Sequence, residues 1–272
     1  MTATDEHAIV TGGSSGIGLA VARLLLAKGW QVSILALADQ DLESVSAELG
    51  SMYPDRLCVT AVDVTDPDAV ARAVADVSET LAAPTALVTS AGIARPQQFT
   101  ELADDVFSRM IDVNYHGTVS AISAVYPGFV ERRRGRVAII SSGAGLLGIF
   151  GHTAYAPTKY AVRGLGEALR AEAKPHGISV TICYLPDVDT PQLRANTPIR
   201  PAETAAISGA SKPWPVDVVA QRIVTGMESG RFSVAPGWQL TLLGWFASPL
   251  AFALRMYIDR IVTKVQAGST NT

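Results

Sequence analysis

Two periods of hydrophobic and polar positions alternate along this chain. HAIVT (7–11) is a short, apolar, β-branched run, and IGLAVARLLLAKG (17–29) places its apolar residues at helical spacing up to Gly29, a helix stop. The pair recurs. Strands are predicted at 31–36, 56–62, 85–90, 136–141, 178–185 and 232–235, and helices near 39–50, 67–82, 102–132, 154–174 and 215–229. Asp66 is placed to cap one of these helices, with Pro67 in the first helical position that proline favours. The strands are apolar on both faces, as parallel strands covered by helices on both sides are. The alternation therefore predicts an α/β fold with a doubly wound, Rossmann-type parallel sheet of about seven strands.

The pattern breaks after Leu185. Residues 186–214 are rich in Pro, Thr and Ala, and a loop of that length in a compact domain is usually functional or mobile. The longest apolar run, LTLLGWFASPLAFAL (240–254), falls short of the ~20 residues of a membrane-spanning helix and contains Pro249. Ser248-Pro249 reads as an N-cap and first helical residue. From there Leu250, Leu254, Tyr257, Ile258, Ile261 and Val265 form one stripe, with Arg255, Asp259 and Lys264 off it, so the tail is predicted to be an amphipathic helix. Such a helix packs on its own domain or a second subunit, lies in a membrane interface, or lines an acyl tunnel.

Composition narrows the classes. Of 272 residues, 48% are hydrophobic and 17% charged, which excludes a disordered or highly charged linker protein. A net charge of −3 argues against nucleic acid as a partner. Cys58 and Cys183 sit in apolar strand-like runs, and His7, His116, His152 and His176 have no ligand spacing, so neither a disulfide framework nor a metal site is expected. The N-terminal segment carries acids rather than the basic start of a signal peptide. A cytoplasmic protein is expected, with membrane association left to the tail.

Two motifs carry chemistry. Thr11-Gly12-Gly13-Ser14-Ser15-Gly16-Ile17-Gly18 follows the first strand and opens the first helix. There the glycines let a diphosphate approach the backbone, and the helix start offers free N–H groups. Tyr155 and Lys159 are four apart on a predicted helix, hence on one face. A lysine beside a phenol favours the phenolate; moving a tyrosine from ~10 to near 7 takes roughly 4 kcal/mol. A core tyrosine with a solvated lysine is the plainer alternative.

Together, on a doubly wound pattern of this length, these motifs resemble the short-chain dehydrogenase/reductase family, over about residues 5–235. The resemblance implies residues 1–237 as one NADP-binding domain, with 238–272 as its apolar, amphipathic extension. It implies dinucleotide contacts from Gly12, Ser14, Ser15, Gly16, Ile17 and Gly18, and adenine contacts from Asp63 and Val64. Ser90-Ala91-Gly92 matches the family's Asn-Ala-Gly motif with serine in place of asparagine, and Thr190, with Pro186 and Val188, falls at the nicotinamide. The implied catalytic set is Asn114, Ser142, Tyr155 and Lys159, with Ser141 the less favoured neighbour of Ser142. Tyr155 would protonate a carbonyl oxygen, Ser142 would hydrogen-bond it, Lys159 would lower the phenol pKa and hold the nicotinamide ribose, and Asn114 would link Lys159 to water.

The second strand ends Ile34-Leu35-Ala36-Leu37-Ala38-Asp39, with no acid at Ala36 and no arginine at Leu37. Absence of an acid removes repulsion of a 2′-phosphate, so NADPH is expected, with NADH as the alternative and an inward-facing Asp39 as the feature that would favour it. Residues 141–191, including GIFG, AVRGLGEAL and P-D-V-D-T-P, are similar to the same stretch of the 3-ketodihydrosphingosine reductases. That implies reduction of a long-chain amino-ketone, with Asp187 and Asp189 as candidates to face its ammonium or as plain loop caps. The alternatives are another hydrophobic ketone or alcohol, of steroid or 3-oxoacyl type, and a non-catalytic NADP-binding scaffold. A homo-oligomer, dimer or tetramer, is expected.

Overall fold

The computed structural model describes residues 6–208 and 212–269, with the side chains of 239, 245–251 and 269 left aside. Seven parallel strands form one sheet in the order β3-β2-β1-β4-β5-β6-β7. They are β1 (His7–Thr11), β2 (Gln31–Ala36), β3 (Leu57–Ala61), β4 (Ala86–Thr89), β5 (Gly135–Ser142), β6 (Ile178–Leu185) and β7 (Ser233–Val234). The helices between them are α1 (Gly16–Ala27), α2 (Gln40–Met52), α3 (Pro67–Thr80), α4 (Asp104–Ile111), α5 (Gly117–Arg132), α6 (Tyr155–Ala173), α7 (Pro191–Asn196), α8 (Ala202–Ser208), α9 (Val216–Glu228) and α10 (Trp238–Ser269).

Strand residues alternate between two cores because successive side chains point to opposite faces. Val10, Ile34 and Val88 pack with α1, α2 and α9, whereas Ile9, Leu35 and Leu87 pack with α3, α5 and α6. Two buried faces explain why every central strand reads as continuously apolar. Asp66 caps α3 by accepting from the amide of Ala69 at 2.9 Å, with Pro67 following, as the sequence predicts.

The structure departs from expectation in four places. The stretch 186–214, expected as a long loop, contains α7 and α8. The helix predicted over 102–132 is broken by a π-helical turn at Asp112–His116, the kind of widening that is frequent at functional sites. The last strand has two residues. The C-terminal helix begins at Trp238 rather than at Ser248. It starts there because Leu240 reaches Gly143 and Leu243 packs with Leu146, Ile182 and Tyr184, so its first turns are anchored on the domain. Of the predicted stripe, Leu254, Ile258, Ile261 and Val265 are half-buried and Tyr257 is exposed; Leu250 lies outside the described side chains.

Candidate active site

In an open parallel sheet, ligands gather at the carboxyl ends of the strands where the order reverses, here between β1 and β4. The glycine-rich turn is built for close approach. Gly12 has φ 65°, and a Cβ there would stand 2.7 Å from the backbone of Ala91; at Gly18 it would stand 2.2 Å from the carbonyl oxygen of Gly12. Ser15 is the N-cap of α1, yet its hydroxyl makes no capping bond, leaving that hydroxyl and the helix N–H groups for a ligand.

A cavity of about 690 Å³ opens over this turn, lined by Gly12, Ser14, Ser15, Gly16, Ile17, Asp63, Val64, Ser90, Ala91, Gly92 and Thr190. A second of about 180 Å³ adjoins it and shares Ile17, Ser90, Gly92 and Thr190; it also has Ser142, Tyr155, Lys159, Pro186 and Val188. Of the sequence-predicted residues, Gly18 and Asn114 line neither: the first packs α1 on the turn, and the second stands behind the wall. The glycine cradle, the free cap and the two joined cavities fit a dinucleotide.

At the end of β2, Ala36, Leu37 and Asp39 line the larger cavity. Asp39 caps α2, its Oδ1 accepting from the amide of Leu42 at 2.9 Å. Arg109, the arginine of that lining, is one turn along α4 from Asp105, which lines it too.

Tyr155 is the first residue of α6, which puts Pro157 in the first turn, where proline is tolerated. Ser142 lines the same cavity as Tyr155, and its hydroxyl accepts from the amide of Ala144 at 3.2 Å. Ser141 is buried and gives its hydroxyl to the carbonyl of Lys159 at 3.1 Å, so its role is to seat α6 on β5.

Lys159 is only 6% exposed. Its Nζ donates to the carbonyl of Ile140 at 3.0 Å and lies 5.6 Å from the centre of the Tyr155 ring. Burial pushes its pKa down to about 8. Burial pushes the Tyr155 phenol up to about 12; the Ser142 hydrogen bond lowers it and the charge of Asp187 raises it further. In the protein alone, then, the expected lowering of the phenol by Lys159 does not occur. Desolvation of the phenolate is the largest influence on the phenol, and Lys159 is not among the groups that shift it.

Asn114 sits in the π turn and is 1% exposed. Its Oδ1 accepts from the amide of Ile93 at 2.8 Å, and its Nδ2 donates to the Ile93 carbonyl at 2.9 Å and to Thr158 Oγ1 at 3.0 Å. Thr158 in turn donates to the carbonyl of Tyr155 at 2.8 Å. Asn114 thus ties the loop after β4 to the start of α6. A Cβ on Gly92 would stand 3.2 Å from Asn114 Oδ1 and 3.7 Å from Lys159 Nζ, so the amide and the ammonium border one point.

The smaller cavity also holds residues that sequence spacing did not assemble. Asp187 pairs through Oδ2 with Arg200 Nη1 at 2.9 Å, and both line the cavity. Asp189, the other ammonium candidate, pairs with Arg194 at the exposed surface and lines neither cavity. His152 meets the Tyr155 ring edge-on, centroids 5.6 Å apart. Burial lowers its pKa, against a hydrogen bond to the Phe150 carbonyl. The Asp187 loop is fixed by Trp214, which donates its amide to the Asp187 carbonyl and accepts from the amide of Asp189, both at 2.9 Å. The P-D-V-D-T-P motif was the available signal for Asp187; nothing periodic pointed to Arg200 or His152.

Comparison with known proteins agrees with this geometry. Residues 6–200 match the short chain dehydrogenase family. The chain is 36% identical over 264 residues to a protein of Danio rerio named 3-dehydrosphinganine reductase, covering 94% of this chain and 79% of that one. It is 37% identical over 236 residues to a 3-ketodihydrosphingosine reductase of Bos taurus, covering 85% and 71%. Among solved structures, a short-chain dehydrogenase from Streptomyces avermitilis superposes with a TM-score of 0.78 at 25% identity, covering 97% of this chain and 98% of that one. A 3-oxoacyl-[acyl-carrier protein] reductase from Brucella melitensis does so with 0.75 at 27% identity, covering 86% and 91%. With its seven parallel strands, glycine cradle and tyrosine–lysine pair in place, the chain belongs to the short chain dehydrogenase family and is an NAD(P)-dependent oxidoreductase.

Proposed function

We propose that this enzyme reduces the 3-keto group of a long-chain amino-ketone, 3-ketodihydrosphingosine, to the alcohol, with NADPH as the cofactor. The observation that carries the reading is the likeness to reductases named for that substrate over most of the chain, joined to Tyr155 and Ser142 converging on one cavity.

The joined cavities lined by Gly12, Ser14, Ser15 and Thr190 would hold the dinucleotide, whose chemistry there would be the supply of a hydride to the carbonyl carbon. Tyr155 gives the matching proton to the oxygen, so ketone, hydride and proton become a secondary alcohol. The Ser142 hydroxyl donates to the same oxygen as charge develops on it. Lys159 holds its ammonium beside the phenol, so the phenolate left behind is stabilised and reprotonated. Asn114 keeps Ile93 and α6 in register and offers the remaining acceptor capacity of Oδ1 to a water that resupplies the proton.

NADPH is favoured by the lack of an acid at Ala36 or Leu37; against it, Asp39 lines the same cavity, and only its Oδ1 is engaged with α2. Its 2′-phosphate would rest on hydroxyl and amide donors near Ser14 and Ser15. Residues 1–237 form the reductase domain in this reading and 238–272 its extension. Among the described residues no helix is long and apolar enough to cross a membrane. Helix α10 does expose Trp238, Leu242, Phe252 and Met256, which fall on one side of a helix of this pitch. We read that side as a peripheral contact with a bilayer carrying the substrate, in a cytoplasmic homo-oligomer.

The test is oxidation of NADPH and of NADH by the purified protein with the amino-ketone and, separately, a plain long-chain ketone. NADPH-linked turnover favouring the amino-ketone supports the proposal. Turnover of the plain ketone alone leaves an oxidoreductase of another hydrophobic substrate.

A further inference from the structure

The proposed substrate has three polar groups in a row: a terminal hydroxyl, an ammonium on the next carbon, and the ketone. The catalytic residues account for the ketone only. Among the groups on the wall of the same cavity that ketone reduction does not use, two have chemistry complementary to the substrate's other two polar groups.

The first is Asp187. Its Oδ2 is paired with Arg200, while Oδ1 has no hydrogen-bond partner among the described residues. Arg200 is itself fixed by a hydrogen bond to Ser208, and the backbone of Asp187 is held by Trp214. The carboxylate is therefore a fixed acceptor. It lines the same cavity as Tyr155, Ser142 and His152, so it faces the space in which the carbonyl would lie. The substrate's cation sits on the carbon next to that carbonyl, two bonds from the carbonyl carbon.

The second is His152. A carbonyl can only accept, so the contact of Nδ1 with the Phe150 carbonyl at 3.2 Å places the ring proton on Nδ1. Burial keeps the ring neutral. Nε2 is then a lone-pair acceptor with no partner among the described residues. An acceptor suits a hydroxyl, not a ketone. Thr204 holds this segment by donating to the same Phe150 carbonyl at 2.8 Å.

Resting on the amino-ketone reading above, we propose that Asp187 and His152 form a two-point subsite for the amino-alcohol end of the substrate, the carboxylate taking the ammonium and the imidazole Nε2 the terminal hydroxyl. Arg200 orients the carboxylate. Asp189, facing solvent, takes no part.

The experiment compares three long-chain 3-ketones: the 2-amino-1-hydroxy compound, its 2-deamino analogue and its 1-deoxy analogue. The kcat/KM ratio between the first and second is expected to fall about tenfold or more in Asp187→Asn, chiefly through KM for the amino compound. The ratio between the first and third is expected to fall similarly in His152→Phe. Equal losses on all three ketones would mean a structural role only and overturn the subsite. A wild-type enzyme that reduces the amino-ketone and its deamino analogue equally well overturns it while leaving ketone reduction intact. Failure to reduce any of the three overturns the substrate reading as well.

Discussion

Lys159 is a cation held in the core before any ligand arrives, and that has a measurable cost. Burial lowers its pKa from 10.5 to about 8, and each unit is about 1.4 kcal/mol of difference between the two protonation states. At neutral pH the folded protein therefore carries roughly 3 kcal/mol of unfavourable burial at this residue. Lys159→Met keeps a similar stem and removes the charge. It also loses the charge-assisted bond from Nζ to Ile140, worth about 2 kcal/mol. The variant, measured without cofactor, is expected to be about 1 kcal/mol more stable than wild type at pH 7 and inactive. The pH dependence follows from the direction of the shift. Below pH 8 the lysine is charged in folded and unfolded chains, and the cost is complete. Between about 8 and 10.5 the unfolded chain keeps a proton the folded one has released, so wild-type stability gains on the variant as pH rises. Tyr155 titrates in both proteins and cancels in the difference. Urea unfolding of both, without cofactor, at pH 7 and pH 9.5 reads the gap. A variant no more stable at pH 7, or a gap that does not narrow, would refute the claim that burial dominates at Lys159.

Three further outcomes are expected. Tyr155→Phe should lower kcat by about 10²–10⁴ with little change in dinucleotide affinity by fluorescence titration, and wild-type turnover would refute its role as proton donor. Leu37→Arg should raise the preference for NADPH over NADH at least about tenfold by adding the charge-assisted bonds to a 2′-phosphate, read as the ratio of kcat/KM for the two cofactors. Gly18→Ala, with its Cβ 2.2 Å from the Gly12 carbonyl oxygen, should cost about 1–3 kcal/mol in stability and weaken dinucleotide binding, measured by thermal melting with and without cofactor.

The sheet was legible because each central strand is buried on both faces, so an apolar run bounded by turn residues was enough to place it. Helix starts were legible where a cap and a proline coincide, as at Asp66 and Pro67. The π turn at Asp112–His116 was not, because its cause is tertiary: Asn114 turns inward to satisfy both backbone groups of Ile93, twenty-one residues away. The start of α10 was hidden for a similar reason. Ser248-Pro249 has the local chemistry of a helix start, but contacts of Leu240 and Leu243 with the domain begin the helix ten residues earlier. The ion pair of Asp187 with Arg200 joins positions thirteen apart in an irregular segment, where no period relates them.

The tyrosine–lysine pair separates what spacing can give from what it cannot. Four residues on a helix brought the two side chains together as expected. Spacing says nothing of the medium between them, and the medium sets the sign. In the protein alone each group is pushed toward its neutral form, the phenol to about 12 and the ammonium to about 8, because each loses hydration and neither gains a full counter-charge. A neutral phenol is the proton donor that ketone reduction needs. The ammonium becomes useful only as negative charge develops on the phenol oxygen, when stabilising it also relieves the cost of burying Lys159. On the proposed mechanism, burial of both groups would arm the site for reduction before the substrate enters, and it would make Lys159 a residue that the fold is more stable without and the reaction needs.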